Sequence, residues 1–376
     1  MPFLSPDKPA ELPLKQAVPH RHPLSQGRYA RHSPFESAWY PMKAATRGQT
    51  PAIENIVIGQ VAEPGEPGPG EVRVRIHANS LNFHDYAVAA GFMPSEAGRL
   101  LLSDGAGVVE SVGAGVTAFK AGDHVVSCFF PDWEDGPCPV TGFARTPGDG
   151  IDGYATPWVV RPASFFTHAP QGWSHAQSAT LTTAGLTAWR ALVVNGGLKA
   201  GDDVLILGTG GVSLFALQLA KMMGARVFAT SSSDEKLERL QTLGVHAGVN
   251  YRQHQDWGKQ IWELTGGRGV DHVIEIGGPG TLGNSIDAVA IGGHIALIGV
   301  FTGLAGEVPT AQLMAKQAAL RGITVGSRRH QREMIRALEA NAVTPLIDKS
   351  FALEELAEAF NYEHSGQHMG KIVIEQ

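Results

Sequence analysis

Cysteine is scarce in this sequence: Cys128 and Cys138 are the two among 376 residues. That excludes the dense disulfide framework of small secreted domains, though not a single bridge. Charge is thin as well. Asp, Glu, Lys and Arg make up 18% of the chain, the formal net charge is -6, and no basic block occurs. Such a chain lacks the electrostatic footprint of a nucleic-acid binder. No apolar run reaches the roughly 20 residues that cross a bilayer, so no membrane partner is expected. Residues 1–40 are rich in Pro, His and Arg and lack the continuous apolar segment of a secretory signal. A cytoplasmic location is therefore expected. Residues 1–41 read as a disordered N-terminal arm, or as an upstream start before Met42-Lys43-Ala44. The other reading is an arm that docks on a partner subunit.

What the chain does have is apolar bulk, at 43% hydrophobic residues, and 46 glycines. The length suggests two domains, and the glycines suggest tight turns between short elements. Residues 43–169 are β-rich. Strands are expected at 57–61, 72–78, 105–112 and 124–129. Between the first two lies Glu63-Pro64-Gly65-Glu66-Pro67-Gly68-Pro69-Gly70, which no central strand accommodates. Residues 130–153 read as a long Pro- and Gly-rich surface loop.

From residue 174 the hydrophobic period changes. Residues 174–195 read as a helix broken near Gly185. A strand is expected at 203–207 and a helix at 212–223, whose Phe215, Ala216, Leu219 and Ala220 recur at helical spacing. Then come a strand at 226–230 and a helix at 234–243 opened by a capping box of Ser232 and Glu235. Strands at 270–276 and 294–300 flank a helix at 282–290. Residues 312–320 and 331–341 look helical, and 371–374 read as a strand that returns to the first domain. Strands alternating with helices imply an α/β fold with a doubly wound parallel sheet, a Rossmann domain spanning 170–315.

The most informative segment is Leu205-Ile206-Leu207-Gly208-Thr209-Gly210-Gly211-Val212-Ser213. A buried strand meets a glycine turn and then a helix. Gly208 permits the turn, and Gly210 lets backbone approach a pyrophosphate. The free N–H groups of the helix start bind its charge. Ser213 stands where a third glycine is usual. At the end of the next strand, where NAD sites place a carboxylate, the sequence reads Thr230-Ser231-Ser232-Ser233. With no carboxylate to repel a 2′-phosphate, and Lys236 in reach, NADP(H) is the expected cofactor. Gly277 and Gly299-Val300-Phe301 follow two later strand ends, where ligands of doubly wound sheets bind.

Further motifs complete the pattern: Asn79-Ser80-Leu81-Asn82-Phe83-His84-Asp85, Asp104-Gly105-Ala106-Gly107-Val108-Val109, Ala121-Gly122-Asp123-His124-Val125 and Thr183-Ala184-Gly185-Leu186-Thr187-Ala188-Trp189. With them the chain resembles the medium-chain dehydrogenase/reductase superfamily, in its zinc-independent alcohol dehydrogenase-like and quinone oxidoreductase-like branch, over about residues 42–376. The resemblance implies a β-rich GroES-like catalytic domain at 42–169 and 316–376. It also implies cofactor contacts from Tyr251 at the adenosine end, and from Phe301 and Gly326-Ser327 near the nicotinamide.

Zinc-dependent members draw Cys, His or Glu ligands from three of these motifs. By resemblance those positions hold Asn82, Ser103 or Asp104, and Thr183. Amide and hydroxyl groups do not replace thiolate and imidazole as tight Zn²⁺ ligands. The structural zinc lobe needs four closely spaced cysteines, and only Cys128 and Cys138 are present. No zinc is therefore expected. Without a metal to acidify a bound alcohol, the easier chemistry is hydride delivery to a small-molecule quinone, enone or other carbonyl, whose oxyanion needs hydrogen-bond donors.

The candidate donors are Asn82, His84, Tyr86 and Thr183, with Trp133 and Trp158 as pocket walls. A second reading is an alcohol dehydrogenase or aldehyde reductase with His84 as proton donor. A third is a non-catalytic NADPH-binding structural or sensor protein. A homodimer is expected, pairing through an apolar edge strand near 294–300.

Overall fold

The computed structural model describes residues 42–139 and 142–376; the expectations for residues 1–41 lie outside them. The chain opens with β1 (Met42–Thr46) paired antiparallel to β2 (Val57–Val61). In β3 (Glu71–Ser80), Val72, Val74 and Ile76 are buried while Arg73 and Arg75 alternate with them. That period of two makes one face of the strand core. Arg73 turns outward to Glu63 and to Glu110 at 2.9 Å. After β3 come α1 (Phe83–Ala89), β4 (Ala106–Val112), β5 (His124–Ser127), β6 (Trp158–Pro162) and β7 (Phe166–His168).

The crossover begins with α2 (His175–Ala179), capped by Ser174. It continues through a π-helical stretch at Leu181–Gly185, α3 (Leu186–Trp189) and a second π stretch at Arg190–Asn195. The break expected near Gly185 is thus a change of helical winding.

The second unit contains β8 (Asp203–Leu207), α4 (Gly211–Met222), β9 (Arg226–Ser231), α5 (Asp234–Thr242), β10 (Ala247–Asn250) and α6 (Trp257–Leu264). β11 (Val270–Glu275), α7 (Pro279–Ala288), β12 (Val289–Leu297), α8 (Thr310–Ala315) and β13 (Ala319–Gly322) follow. Its parallel sheet has the order β10-β9-β8-β11-β12-β13, the doubly wound Rossmann arrangement. β8 is buried along its whole length. Val204 and Ile206 enter the core shared with α4, and Leu205 and Leu207 enter the core shared with α6 and α7. Both faces are therefore covered, which is why this strand reads as unbroken apolar sequence from Val204 to Leu207.

The chain then forms α9 (Arg328–Asn341), β14 (Ile347–Ala352), α10 (Leu356–Ser365) and β15 (Lys371–Glu375). β15 lies parallel to β14 and antiparallel to β3, so the C-terminus does return to the first, GroES-like unit.

Three expectations need correction. The strand read at 294–300 begins at Val289, ends at Leu297 and is not an edge, because β13 pairs with it. The free edge that dimerisation was expected to use belongs to β13. Residues 319 and 320, read as the end of a helix, open that strand, which spans Ala319–Gly322, so the sheet continues beyond residue 315. The cap of α5 is Ser233, not Ser232: its hydroxyl accepts from the Lys236 N–H at 3.3 Å.

Candidate active site

The glycine turn joins β8 to α4. Gly208 has φ 70°, the left-handed region that favours glycine, and its N–H is held by Thr230 O at 2.8 Å. Gly210 is the N-cap, no side chain caps the helix, and its first turn holds no acidic residue. A Cβ on Gly210 would meet nothing within 4 Å. Leu214 N–H is the first to find a helical carbonyl, that of Gly210 at 3.0 Å. The N–H groups of Gly211, Val212 and Ser213 precede it and have no partner within the helix. An uncapped helix start behind open space fits a dinucleotide pyrophosphate. Ser213 spends its hydroxyl on Leu207 O at 2.7 Å, tying helix to strand where a third glycine would otherwise pack.

The second strand ends without a carboxylate. Ser231 is buried and its carbonyl accepts from Tyr251 N–H at 3.0 Å, so these two expected cofactor residues are neighbours. Asp234 is diverted: its carboxylate accepts from Asn250 at 2.7 Å and Gln253 at 2.8 Å, which holds it below the usual carboxylate range. Lys236 does not stand free in solvent. Its ammonium donates to the carbonyls of Gly366 at 2.7 Å and His368 at 3.1 Å, across to the other unit, and burial lowers its pKa. One of its three N–H groups has no bond among these.

Directly beneath the glycine turn lies a buried polar cluster. Gly370 N–H bonds Thr209 O at 2.9 Å, which brings the start of β15 against the turn. The Lys371 side chain runs under Gly211, where any Cβ would stand 2.4 Å from the lysine Cδ. Its ammonium donates to Leu81 O and to Asn82 Oδ1, the latter at 2.6 Å. Asp104 is fully buried; Thr183 donates to its Oδ1 at 2.6 Å and Ser80 to its Oδ2 at 2.7 Å. Burial raises the Asp104 carboxyl to about 6, against the pull of Lys371. Glu363 on α10 is raised to about 8 by burial, again opposed by Lys371, and its Oε2 is enclosed without a partner. Lys371 itself is lowered by burial and held up by Asp104, Glu363 and Asp85.

Asn82 is the N-cap of α1 in a capping box with Asp85. Its Nδ2 donates to Asp85 Oδ2 at 3.1 Å and Ser80 O at 3.4 Å, and its Oδ1 takes Lys371. That amide is spent inside the protein. Thr183 is half-buried in the first π stretch, an irregularity frequent at functional sites. Tyr86 stacks on His364 with ring centroids 4.8 Å apart, and burial raises its phenol. His84 lies between Phe129 and Phe143, at 5.2 and 4.8 Å, and its Nε2 faces Asp149 Oδ2 at 3.4 Å.

Of the later strand ends, Gly299 approaches Ile276 O so closely that a Cβ would stand 1.8 Å away. Phe301 packs edge-on against Phe83 of α1 at 4.6 Å, so the two units meet there, while Val300 stays 40% exposed. The N–H groups of Gly277 and Gly278 donate to the buried Glu275 carboxylate at 2.7 and 3.0 Å. Ser327 caps α9 and is fully buried, behind Gly326. Val325, just before them, and Leu102, just before Ser103-Asp104, have φ of 45° and 71°. Bulky residues with left-handed backbone are strained, and such strain gathers at functional sites. Trp133 is buried under Arg190 and beside His330. Trp158 bonds Glu110 at 2.7 Å on the β3–β4 sheet.

Sequence reading missed Lys371, Glu363 and Asp149. The lysine opening an otherwise apolar terminal strand was a signal for the first. The other two lie on a helix flank and an irregular loop and carry none. Among the described residues, no three His, Cys, Asp or Glu side chains are grouped to hold a metal.

Two family models match the chain: the alcohol dehydrogenase GroES-like domain over residues 68–171, and the zinc-binding dehydrogenase model over 211–340. A zinc-type alcohol dehydrogenase-like protein of Schizosaccharomyces pombe is 41% identical over 322 residues, covering 83% of this chain and 92% of that one. The crystal structure of a putative alcohol dehydrogenase from Sinorhizobium meliloti 1021 superposes with TM-score 0.83 at 40% identity, over 89% of this chain and 99% of that one. The crystal structure of an NAD-dependent alcohol dehydrogenase gives TM-score 0.81 at 34% identity, over 89% of this chain and 100% of that one.

Proposed function

Because the chain belongs to the medium-chain dehydrogenase/reductase superfamily of oxidoreductases, we propose that it is an NADP(H)-dependent, zinc-independent reductase of small carbonyl acceptors: quinones, enones or aldehydes. The observation that carries the reading is the ammonium of Lys371 on Asn82 Oδ1, beside the Thr183–Asp104 pair. By resemblance, Asn82, Ser103 or Asp104, and Thr183 stand where metal-dependent members hold zinc ligands. A fixed cation, an amide and two hydroxyl-bonded carboxylate oxygens do not fit Zn²⁺.

NADPH bound along the turn at 208–213 supplies the hydride. Residues 210–213 hold its pyrophosphate, and the serines at 231–233, with the spare N–H of Lys236, accept a 2′-phosphate. The chain must then manage the oxygen of the acceptor. Asn82 is committed to Lys371 and Asp85. Thr183 donates its hydrogen to Asp104. His84 is the candidate with a ring nitrogen left for exchange, so it serves as the proton donor.

Fluorescence titration of metal-stripped protein tests the cofactor assignment. NADPH is expected to bind at least about tenfold more tightly than NADH, a difference of about 1.4 kcal/mol. Equal binding, or a preference for NADH as in the name of the NAD-dependent relative, would reject the 2′-phosphate site.

A further inference from the structure

We infer that Asp149 orients His84 for proton delivery, forming a carboxylate–imidazole pair beside the substrate space. The inference rests on His84 being the proton donor. Nε2 of His84 and Oδ2 of Asp149 are both enclosed, and neither has a hydrogen bond to any other group. They face each other at 3.4 Å. A buried donor and a buried acceptor left unpaired each cost about 1–3 kcal/mol, and a small turn of the ring that aims its N–H at the carboxylate satisfies both. The side chains are 13% and 7% exposed, so water does not screen the pair.

The surroundings hold the pair from three sides. The His84 ring is fixed by Phe129 and Phe143. Asp149 sits in a compact turn: its N–H bonds Thr146 O at 3.2 Å, and Gly148 N–H bonds Ile151 O at 2.9 Å. Glycines on either side allow the turn to press inward. Gly148 has φ 83° and lies against Leu102 backbone, while a Cβ on Gly150 would stand 2.3 Å from Ala144 backbone. Ser95 on a third segment donates to Asp149 O at 3.2 Å. A loop that only covered the core would not need an inward carboxylate between two such close approaches.

The chemistry follows from which nitrogen each partner takes. Asp149 accepts the hydrogen on Nε2, so protons enter and leave the ring at Nδ1. Hydride adds to the acceptor carbon, and the C=O π pair moves to oxygen. That oxygen takes the Nδ1 proton, and the ring becomes neutral with its Nε2–H still on Asp149. Solvent restores the Nδ1 proton. Asp149 touches neither cofactor nor substrate and is a positioning residue.

The test pairs ¹⁵N-histidine NMR with kinetics on Asp149→Ala and the near-isosteric Asp149→Asn, using NADPH with cyclohexenone and butanal. His84→Gln assigns the His84 signals. In the parent protein His84 is expected as a single Nε2–H form whenever it is neutral. Asp149→Ala should give a mixture of tautomers, and kcat should fall about tenfold or more in both variants, with KM and NADPH affinity within about twofold. An unchanged His84 spectrum in Asp149→Ala overturns the pair, whatever the activity. A changed spectrum with kcat intact in the Asp149 variants and in His84→Ala overturns the role instead, and shows that the failure lies in His84 as donor.

Discussion

Lys371→Met is expected to lower the free energy of unfolding by about 3–5 kcal/mol, the cost of leaving buried charge uncompensated. The ammonium is buried, attracted by the carboxyls of Asp104, Glu363 and Asp85, and bonded to Leu81 O and Asn82 Oδ1. Methionine fills similar volume, so the loss measures charge and hydrogen bonding more than packing.

The size of the effect should depend on pH, with a sign fixed by the carboxyls. Asp104 is raised to about 6 and Glu363 to about 8, mainly by burial. A raised folded-state pKa contributes stability that is complete below the ordinary value near 4. That contribution is lost as pH rises through the folded-state value. In the parent protein, the contribution of these two carboxyls therefore declines from about pH 4 to pH 8. Lys371 opposes both shifts. Without it both carboxyls move higher and the decline steepens. Urea unfolding at pH 5.5 and pH 8.5 should show the larger loss at pH 8.5. Adding Asp104→Asn to Lys371→Met should recover part of that difference. Equal losses at both pH values would mean that the lysine acts as a spacer.

His84→Ala is expected to lower kcat by about 10²–10³-fold while NADPH affinity stays within about twofold. The separation follows from the architecture. His84 lies on α1 in the GroES-like unit, whereas the pyrophosphate turn and the serine-lined strand end belong to the Rossmann unit. A change in the ring leaves residues 208–213 untouched. Stopped-flow measurement of NADPH oxidation reads the loss, and a parent-like kcat would return attention to Thr183, whose hydroxyl would have to turn from Asp104 to donate to the acceptor oxygen.

The parallel sheet was legible because burial on both faces leaves a direct trace in sequence. From Val204 to Leu207 β8 is apolar, and a glycine turn follows it directly. The edge of the same sheet was not legible. Ala319-Leu320-Arg321-Gly322 is short and largely exposed, with no period to distinguish it from the helix before it. The cap of α5 slipped by one residue because three serines in a row compete. Which one caps is decided by where β9 stops pairing, at Ser231 against Asn250.

Asn82 shows the limit for a site residue. Its type and position suggested a hydrogen-bond donor to substrate, yet its orientation is set by Lys371, which lies 289 positions away in the chain. Asp149 had no sequence signal, since a carboxylate on a glycine-rich loop is ordinarily solvated. Only the fold turns it toward His84.

The central claim is hydride transfer without zinc, and it is tested by assaying protein stripped with a strong chelator and checked for residual metal by mass spectrometry. With NADPH and a panel of cyclohexenone, benzoquinone and butanal, turnover is expected to survive stripping and to gain nothing from added Zn²⁺. Activity that vanishes on stripping and returns with stoichiometric Zn²⁺ would contradict it.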